Sequence, residues 1–179
     1  FGAVPRAAKI EHDFVVTKEH VIFPVFPTTA DLDRIKAGGA HWVWDPTKDT
    51  YIGIMPRKGS VADMRWFRGP PRSGFHFMNA YTEGNQVHVD FGCSTVTPFP
   101  FIQQASGVSP RPDEIGGKYV RWSFNMAKPG EKFEEYVLGP GGEMPRIAEK
   151  DFMVDYEVGY YQTFGPANAP PLIAGPLGP

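Results

Sequence analysis

Apolar and polar residues alternate along most of the chain in short runs, separated by clusters of Gly, Pro, Asn, Asp and Lys. Period-two alternation over such runs is the mark of half-buried strands, because successive strand side chains point to opposite faces. Ile10–Thr17 and His20–Phe26 are predicted as two strands joined across a Thr-Lys-Glu turn. Trp42–Trp44 and Tyr51–Met55 are predicted as a second hairpin around Asp45–Asp49, and Met64–Arg68 as a strand ended by Gly-Pro-Pro. Gly74–Tyr81 and Gln86–Phe91 form a third predicted hairpin on a Glu-Gly-Asn turn. Tyr119–Met126 alternates cleanly, with Tyr119, Arg121 and Ser123 against Val120, Trp122 and Phe124, and is predicted to pair with Phe133–Leu138 across Lys-Pro-Gly-Glu. One more strand is expected at Tyr160–Phe164.

Helical spacing is confined to Thr28–Lys36. There Thr29 is placed to cap, Asp31 and Asp33 suit a first turn, and Gly38-Gly39 stops the run. Pro98–Gly117 reads as mostly loop, and the Pro/Gly-rich Ala167–Pro179 cannot form a ladder. No fixed-period tandem repeat is present. Hairpins at regular spacing with almost no helix give an all-β meander: a sandwich, a barrel or part of a propeller.

Composition sharpens this only in places. Gly (20) and Pro (19) are frequent enough in 179 residues to raise disorder as a reading. The aromatics, at 14%, sit inside the alternating runs rather than between them, which favours short strands joined by many turns. A formal charge of −2 gives no basic face for nucleic acid. The single cysteine, Cys93, excludes an internal disulfide framework and any thiolate metal cluster, and fits a cytoplasmic setting. No apolar run is long enough for a membrane span and no signal-peptide pattern is present.

Three stretches carry candidate chemistry. His76 lies between Phe75 and Phe77 in a strand-like run, and strict alternation sets Phe75 and Phe77 on one face with His76, Met78 and Ala80 on the other. His12 opens another strand-like run, His-Asp-Phe-Val-Val-Thr, and Glu143 sits in Gly-Gly-Glu-Met-Pro-Arg-Ile. A lone strand histidine is ordinarily a core residue bonded to a carbonyl, and a glutamate among glycines is ordinarily an exposed loop residue. Two strand-borne imidazoles with a remote carboxylate to orient one of them, however, have the make-up of a metal site with its outer support. Imidazole suits iron, copper, zinc and nickel alike. Asp13, adjacent to His12, points to the opposite face and is expected to be a turn or hydrogen-bonding residue rather than a ligand. His20, His41 (before an exposed-looking Trp-Val-Trp) and His88 are expected to have no part in the site, and Arg65, Arg68 and Arg72 to form a solvated face or ion contacts.

Taken in order, these stretches resemble the carotenoid cleavage oxygenase family. His12 with its Asp-Phe and a strand ending in Phe-Pro matches the family's second ligand. His76 in Phe-His-x-x-Asn-Ala matches the third, and Glu143 in Glu-x-Pro matches the glutamate that supports it. Pro27-Thr-Thr through Pro46, with Arg65-Trp-Phe-Arg-Gly69, is closest to the lignostilbene dioxygenase branch. The resemblance implies part of a seven-bladed β-propeller with iron(II) on its axis, held by four histidines, three of them backed by glutamates. It makes residues 1–179 a partial domain, a middle portion with His12 and His76 as metal ligands and without counterparts of the other two histidines. The chain taken alone is then expected to be inactive.

The implied reaction is cleavage of an alkene in a stilbenoid or phenylpropenoid by O2, giving two carbonyl products. An apocarotenoid substrate, or an inactive metal-free fragment, is the alternative. Phe75, Phe77, Phe99, Phe101, Trp122 and Phe124 are candidate apolar walls. Most are expected in the core, while Phe99 and Phe101 rank as substrate-binding because this loop approaches the substrate in the family. The implied partners are a small apolar aromatic alkene and O2, with a homodimer possible.

Overall fold

The computed structural model of the chain describes residues 8–9, 11–99, 101–108, 110–128 and 132–163. In chain order its strands are β1 (Ala8–Lys9), β2 (Val15–Val16), β3 (His20–Val25), β4 (Thr28–Ala30), β5 (Val43–Trp44), β6 (Thr50–Pro56) and β7 (Arg65–Gly69). They continue with β8 (Ser73–Glu83), β9 (Gln86–Ser94), β10 (Gln103–Gln104), β11 (Lys118–Asn125), β12 (Glu134–Pro140), β13 (Gly142–Arg146) and β14 (Tyr160–Thr163). The α-helices among the described residues are single turns, α1 (Leu32–Lys36) and α2 (Pro112–Ile115). The all-β expectation holds for these residues.

Two antiparallel four-stranded sheets dominate, in the orders β2-β3-β6-β7 and β8-β9-β11-β12. Strands joined to their neighbours in this up-and-down manner are the unit from which propeller blades are built. A third sheet, β1-β4-β5-β10, closes with β10 parallel to β5, and β13 pairs with β14. Ile22, Ile52, Ile54 and Phe67 of the first large sheet form one buried cluster with Ala80, Val87, Val89, Phe91, Val120, Trp122 and Phe124 of the second. Each of the larger of these side chains contributes about 1.5–3 kcal/mol by leaving water. The opposite face of the second sheet buries Met78, Tyr81 and Tyr119 under Ile147 and Tyr156 from the segment that follows β13.

The Thr17–His20 turn, the Gly84 turn (φ +56°) and the β11–β12 pair form as the alternation predicts. Ile10, Phe164, the Ala167–Pro179 tail and part of the Lys-Pro-Gly-Glu turn lie outside the described residues. Trp42–Trp44 and Tyr51–Met55 do not make a hairpin. β5 pairs with β4 and β10, while β6 pairs with β3 and β7, so the Asp45–Asp49 turn passes the chain between two sheets. Val43 and Trp44 are buried rather than exposed, and the Trp44 indole N–H donates to the Arg72 carbonyl at 3.2 Å.

The predicted helix is shorter than its spacing implied. Thr28 and Thr29 belong to β4, as β-branched residues favour, and Asp31 is the cap, accepting the Arg34 N–H at 2.8 Å. Arg68 pairs with Asp49 and Arg72 with Glu135. The Arg65 guanidinium donates to the Met126 carbonyl. No helix among the described residues is long and apolar enough to cross a membrane.

Candidate metal centre

β8 carries the candidate ligand His76 and departs from strict alternation on both sides of Phe77. Its register against β9 runs Gly74↔Cys93, Phe77↔Phe91, Asn79↔Asp90, so β8 holds an extra residue on each side of Phe77. Each bulge turns the strand by one side chain. Phe77 and Ala80 therefore share the core face, while Met78 and Tyr81 share the other, which corrects the alternation expected from sequence. The first bulge also frees Phe75 and His76 from the core, and both rings reach the site.

Glu143 is brought to His76 by a close approach of backbones. Gly92 on β9 has no room for a Cβ because the Gly142 carbonyl oxygen lies against it, so β13 seats directly on β9. The two groups are 67 positions apart in sequence, yet His76 Nδ1 lies 2.7 Å from Glu143 Oε2, with both side chains largely covered. A carboxylate can only accept, so Nδ1 is the protonated donor, and in the neutral ring Nε2 keeps its lone pair. The same Glu143 oxygen accepts the Met144 N–H at 3.1 Å, where Met144 takes φ 56°. Glu143 is thus a covered, bonded residue of β13 rather than an exposed loop glutamate.

His12 lies just before β2 rather than within a strand. Its ring stacks on Phe75 (centroids 3.6 Å apart) and meets the His76 ring edge-on at 5.1 Å. Two imidazoles bound side by side to one ion at roughly 2.0–2.1 Å place their centroids about 4.5–5 Å apart, so this spacing fits a shared metal. Among the described residues no group of three or more His, Cys, Asp or Glu converges to hold an ion. Two neighbouring imidazoles, one of them held by a carboxylate, are a donor set that iron accepts, as do copper, zinc and nickel.

The aromatic row continues outward, with Phe99 4.5 Å from Phe75 and Phe101 5.3 Å from Phe99. Phe101 is 71% exposed. A cavity of about 30 Å³ bounded by His12, Phe26, Phe75, Phe77 and Phe99 lies beside them. Ligand pockets run to roughly 300 Å³ and more, so this cavity is too small to enclose an aromatic molecule. Trp122, Phe124 and Phe77 are core, as expected.

The remaining histidines have partners of their own. His88 Nδ1 is 2.7 Å from Ser123 Oγ, His20 Nδ1 is 3.5 Å from Thr17 Oγ1, and His41 packs on Trp42. Sequence reasoning includes Asn79 only as part of the Phe-His-x-x-Asn-Ala pattern and gives it no role. Its amide donates to the Asp151 and Val154 carbonyls and accepts the Met153 N–H, fastening the segment after β13 onto β8. The signal was an asparagine inside an apolar strand, where that residue is otherwise depleted.

The bulged strand, the backbone-seated glutamate and the blade-like sheets place a carboxylate-held imidazole beside a second imidazole on an all-β scaffold. Over residues 3–175 the chain matches the family described as retinal pigment epithelial membrane protein, and it belongs to that family, the carotenoid cleavage oxygenases. These are non-haem iron oxygenases that cleave alkenes. The chain is 33% identical to an isoeugenol monooxygenase of Pseudomonas putida, over 83% of this chain and 31% of that protein. It is 38% identical to resveratrol cleavage oxygenase 1 of Aspergillus fumigatus, over 87% of this chain and 32% of that one. The crystal structure of Pseudomonas brassicacearum lignostilbene dioxygenase superposes with a TM-score of 0.84 at 32% identity, covering 91% of this chain and 34% of that chain. The chain spans about a third of the length of the relatives it matches.

Proposed function

We propose that this chain forms part of an iron(II) oxygenase that splits the side-chain double bond of a stilbenoid or phenylpropenoid. In the full reading it contributes blades to a seven-bladed propeller with the metal on its axis. His12 and His76 are two of the iron ligands. The observation that carries the reading is the His76–Glu143 contact at 2.7 Å beside the His12 ring, since a neutral ring held through Nδ1 leaves Nε2 to bind an ion. Iron(II) held there would supply the dioxygen chemistry, in which one alkene and one O2 give two carbonyl products.

The protein's own part is positional. Glu143 fixes the His76 tautomer and ring plane, Phe75 backs the His12 ring, and Phe99 and Phe101 offer flat apolar faces to an aromatic substrate while excluding water. Stilbenoids and phenylpropenoids are favoured over polyenes by the 33% and 38% identities to proteins named for isoeugenol and resveratrol. A cytoplasmic setting belongs to the same reading. Cys93 is a buried free thiol, its pKa raised by burial, as a reducing compartment permits.

The test is elemental analysis of the intact protein with oxygen uptake on a hydroxystilbene. One iron per chain and two aldehydes per O2 are expected. A metal-free protein, or uptake with apocarotenoids alone, would overturn the reading. Glu143→Gln should then lower iron affinity or turnover about 10–100-fold, the usual cost of losing a partner behind a ligand, with the circular dichroism unchanged. Equal iron content and turnover in this variant would show that Glu143 does not support His76.

A further inference from the structure

His12 reaches the site on a segment that lacks the ordinary means of holding a strand in place. Residues 11–14 belong to no ladder, and β2 behind them is only Val15–Val16. The segment runs beside β8, and β8 is the edge strand of its own sheet. An edge strand presents backbone N–H groups with no strand partner. Phe77, caught between the two bulges of β8, presents one of these toward the His12 segment.

Asp13 meets it. Asp13 Oδ2 accepts the Phe77 N–H at 3.3 Å, and Oδ1 accepts the Phe14 N–H at 2.9 Å, so both carboxylate oxygens are engaged by backbone. Further along, the Thr82 hydroxyl donates to Thr17 Oγ1 at 3.0 Å. Thr17 is fully buried and itself accepts the Glu19 and His20 N–H groups. Two side-chain fastenings therefore join the segment to β8, and the one at Asp13 is adjacent to His12. The Phe77 N–H is also one residue from His76. A single hydrogen bond thus spans the neighbours of both imidazoles.

We propose that Asp13 is a positioning residue: by holding the Phe77 N–H at the β8 bulge, its carboxylate sets the His12 imidazole at its distance from His76. This rests on reading His12 and His76 as metal ligands. Asp13 acts through His12, both of its oxygens being turned to the backbone N–H groups of Phe77 and Phe14. What matters in this role is an acceptor at the right place, and charge is secondary. Asparagine can still present one carbonyl oxygen to Phe77, whereas glutamate keeps the charge and carries the acceptor one methylene too far.

The experiment is Co(II) titration of the intact metal-free protein, followed by visible absorption. Parent, Asp13→Asn, Asp13→Glu and Asp13→Ala are compared, with thermal melting of each metal-free form alongside. Asp13→Ala and Asp13→Glu are expected to bind Co(II) about 10-fold more weakly, near the lower end of the roughly 10–100-fold seen for lost supporting partners, and to show shifted visible bands. Asp13→Asn is expected to stay close to the parent in both. Should Asp13→Ala fail to fold, the Asn–Glu comparison decides alone. If Asn binds as weakly as Glu, an acceptor at this place is not enough, and if Glu binds like the parent while Asn does not, charge and not acceptor position is at work; either outcome overturns the proposal. If all variants bind like the parent, Asp13 has no positioning role although the metal reading stands. A parent that takes up no Co(II) overturns the metal reading, and this role with it.

Discussion

Replacing His76 with alanine in the intact protein is expected to abolish oxygen uptake and strip the iron, with little change in melting temperature. The loss should exceed the roughly 10–100-fold attached to an outer partner, because here a ligand itself is removed. Its former partner Glu143 would be left facing the gap with only the Met144 N–H to bind. The fold has little stake in the imidazole. His76 sits on a bulge, its side chain is 26% exposed, and neither buried cluster includes it. His88→Ala is the control. His88 lies in the same sheet, is half-buried and is bonded to Ser123, so its removal should perturb stability while leaving the iron in place. Iron content should therefore fall only in His76→Ala and melting temperature only in His88→Ala. If His76→Ala kept its iron, or His88→Ala lost it, the assignment of ligands would be wrong.

The parts of the fold legible in the sequence are those that local chemistry decides. Val120, Trp122 and Phe124 alternate with Tyr119, Arg121 and Ser123, and the two sets go to opposite faces because nothing interrupts the β11 ladder from Val120 on. Glu83-Gly84-Asn85 makes its turn because glycine takes φ +56° there without strain. What failed depends on partners distant in sequence. β5 and β6 are neighbours along the chain and look like a hairpin, yet their pairing is set by β4, β3 and β7.

The bulges of β8 are invisible for the same reason. They are defined only against the β9 register, and they put Phe77 with Ala80 where alternation would separate them. The site was legible chiefly through resemblance. No spacing rule links Glu143 to a histidine 67 residues earlier, whereas the family motifs around each residue do. Asp13 was correctly read as a hydrogen-bonding residue from its adjacency to His12. Its partner, a backbone N–H on an edge strand, has no sequence signature.

Arg121→Met should be the most damaging single change to stability, at about 3–5 kcal/mol, the usual cost of breaking a buried ion pair by removing one member. Arg121 and Asp90 face each other across β11 and β9. The guanidinium grips the carboxylate with both arms, Nε to Oδ1 at 2.9 Å and Nη2 to Oδ2 at 2.8 Å, and lies over the Tyr81 ring. Asp90 is 1% exposed, so methionine would leave a carboxylate nearly out of water with one remaining side-chain donor among the described residues, the Tyr156 hydroxyl at 2.8 Å. Burial and the Asp90 charge push the Tyr156 phenol far above its usual range, so it stays a donor at any working pH.

The damage should also reach the metal centre. Tyr156 and the Asn79 bonds together fasten the segment that follows β13, and β13 carries Glu143. Loosening that segment is expected to lower iron affinity beyond what the fall in melting temperature alone explains. Adding Asp90→Leu to Arg121→Met removes the stranded charge and should recover most of the stability, since a buried pair replaced by apolar side chains of similar size is often neutral. Denaturant midpoints of the parent, the two single variants and the double variant measure this directly. An Arg121→Met protein that melts with the parent, or a double variant no better than the worse single one, would show that the pair is not what holds this face together.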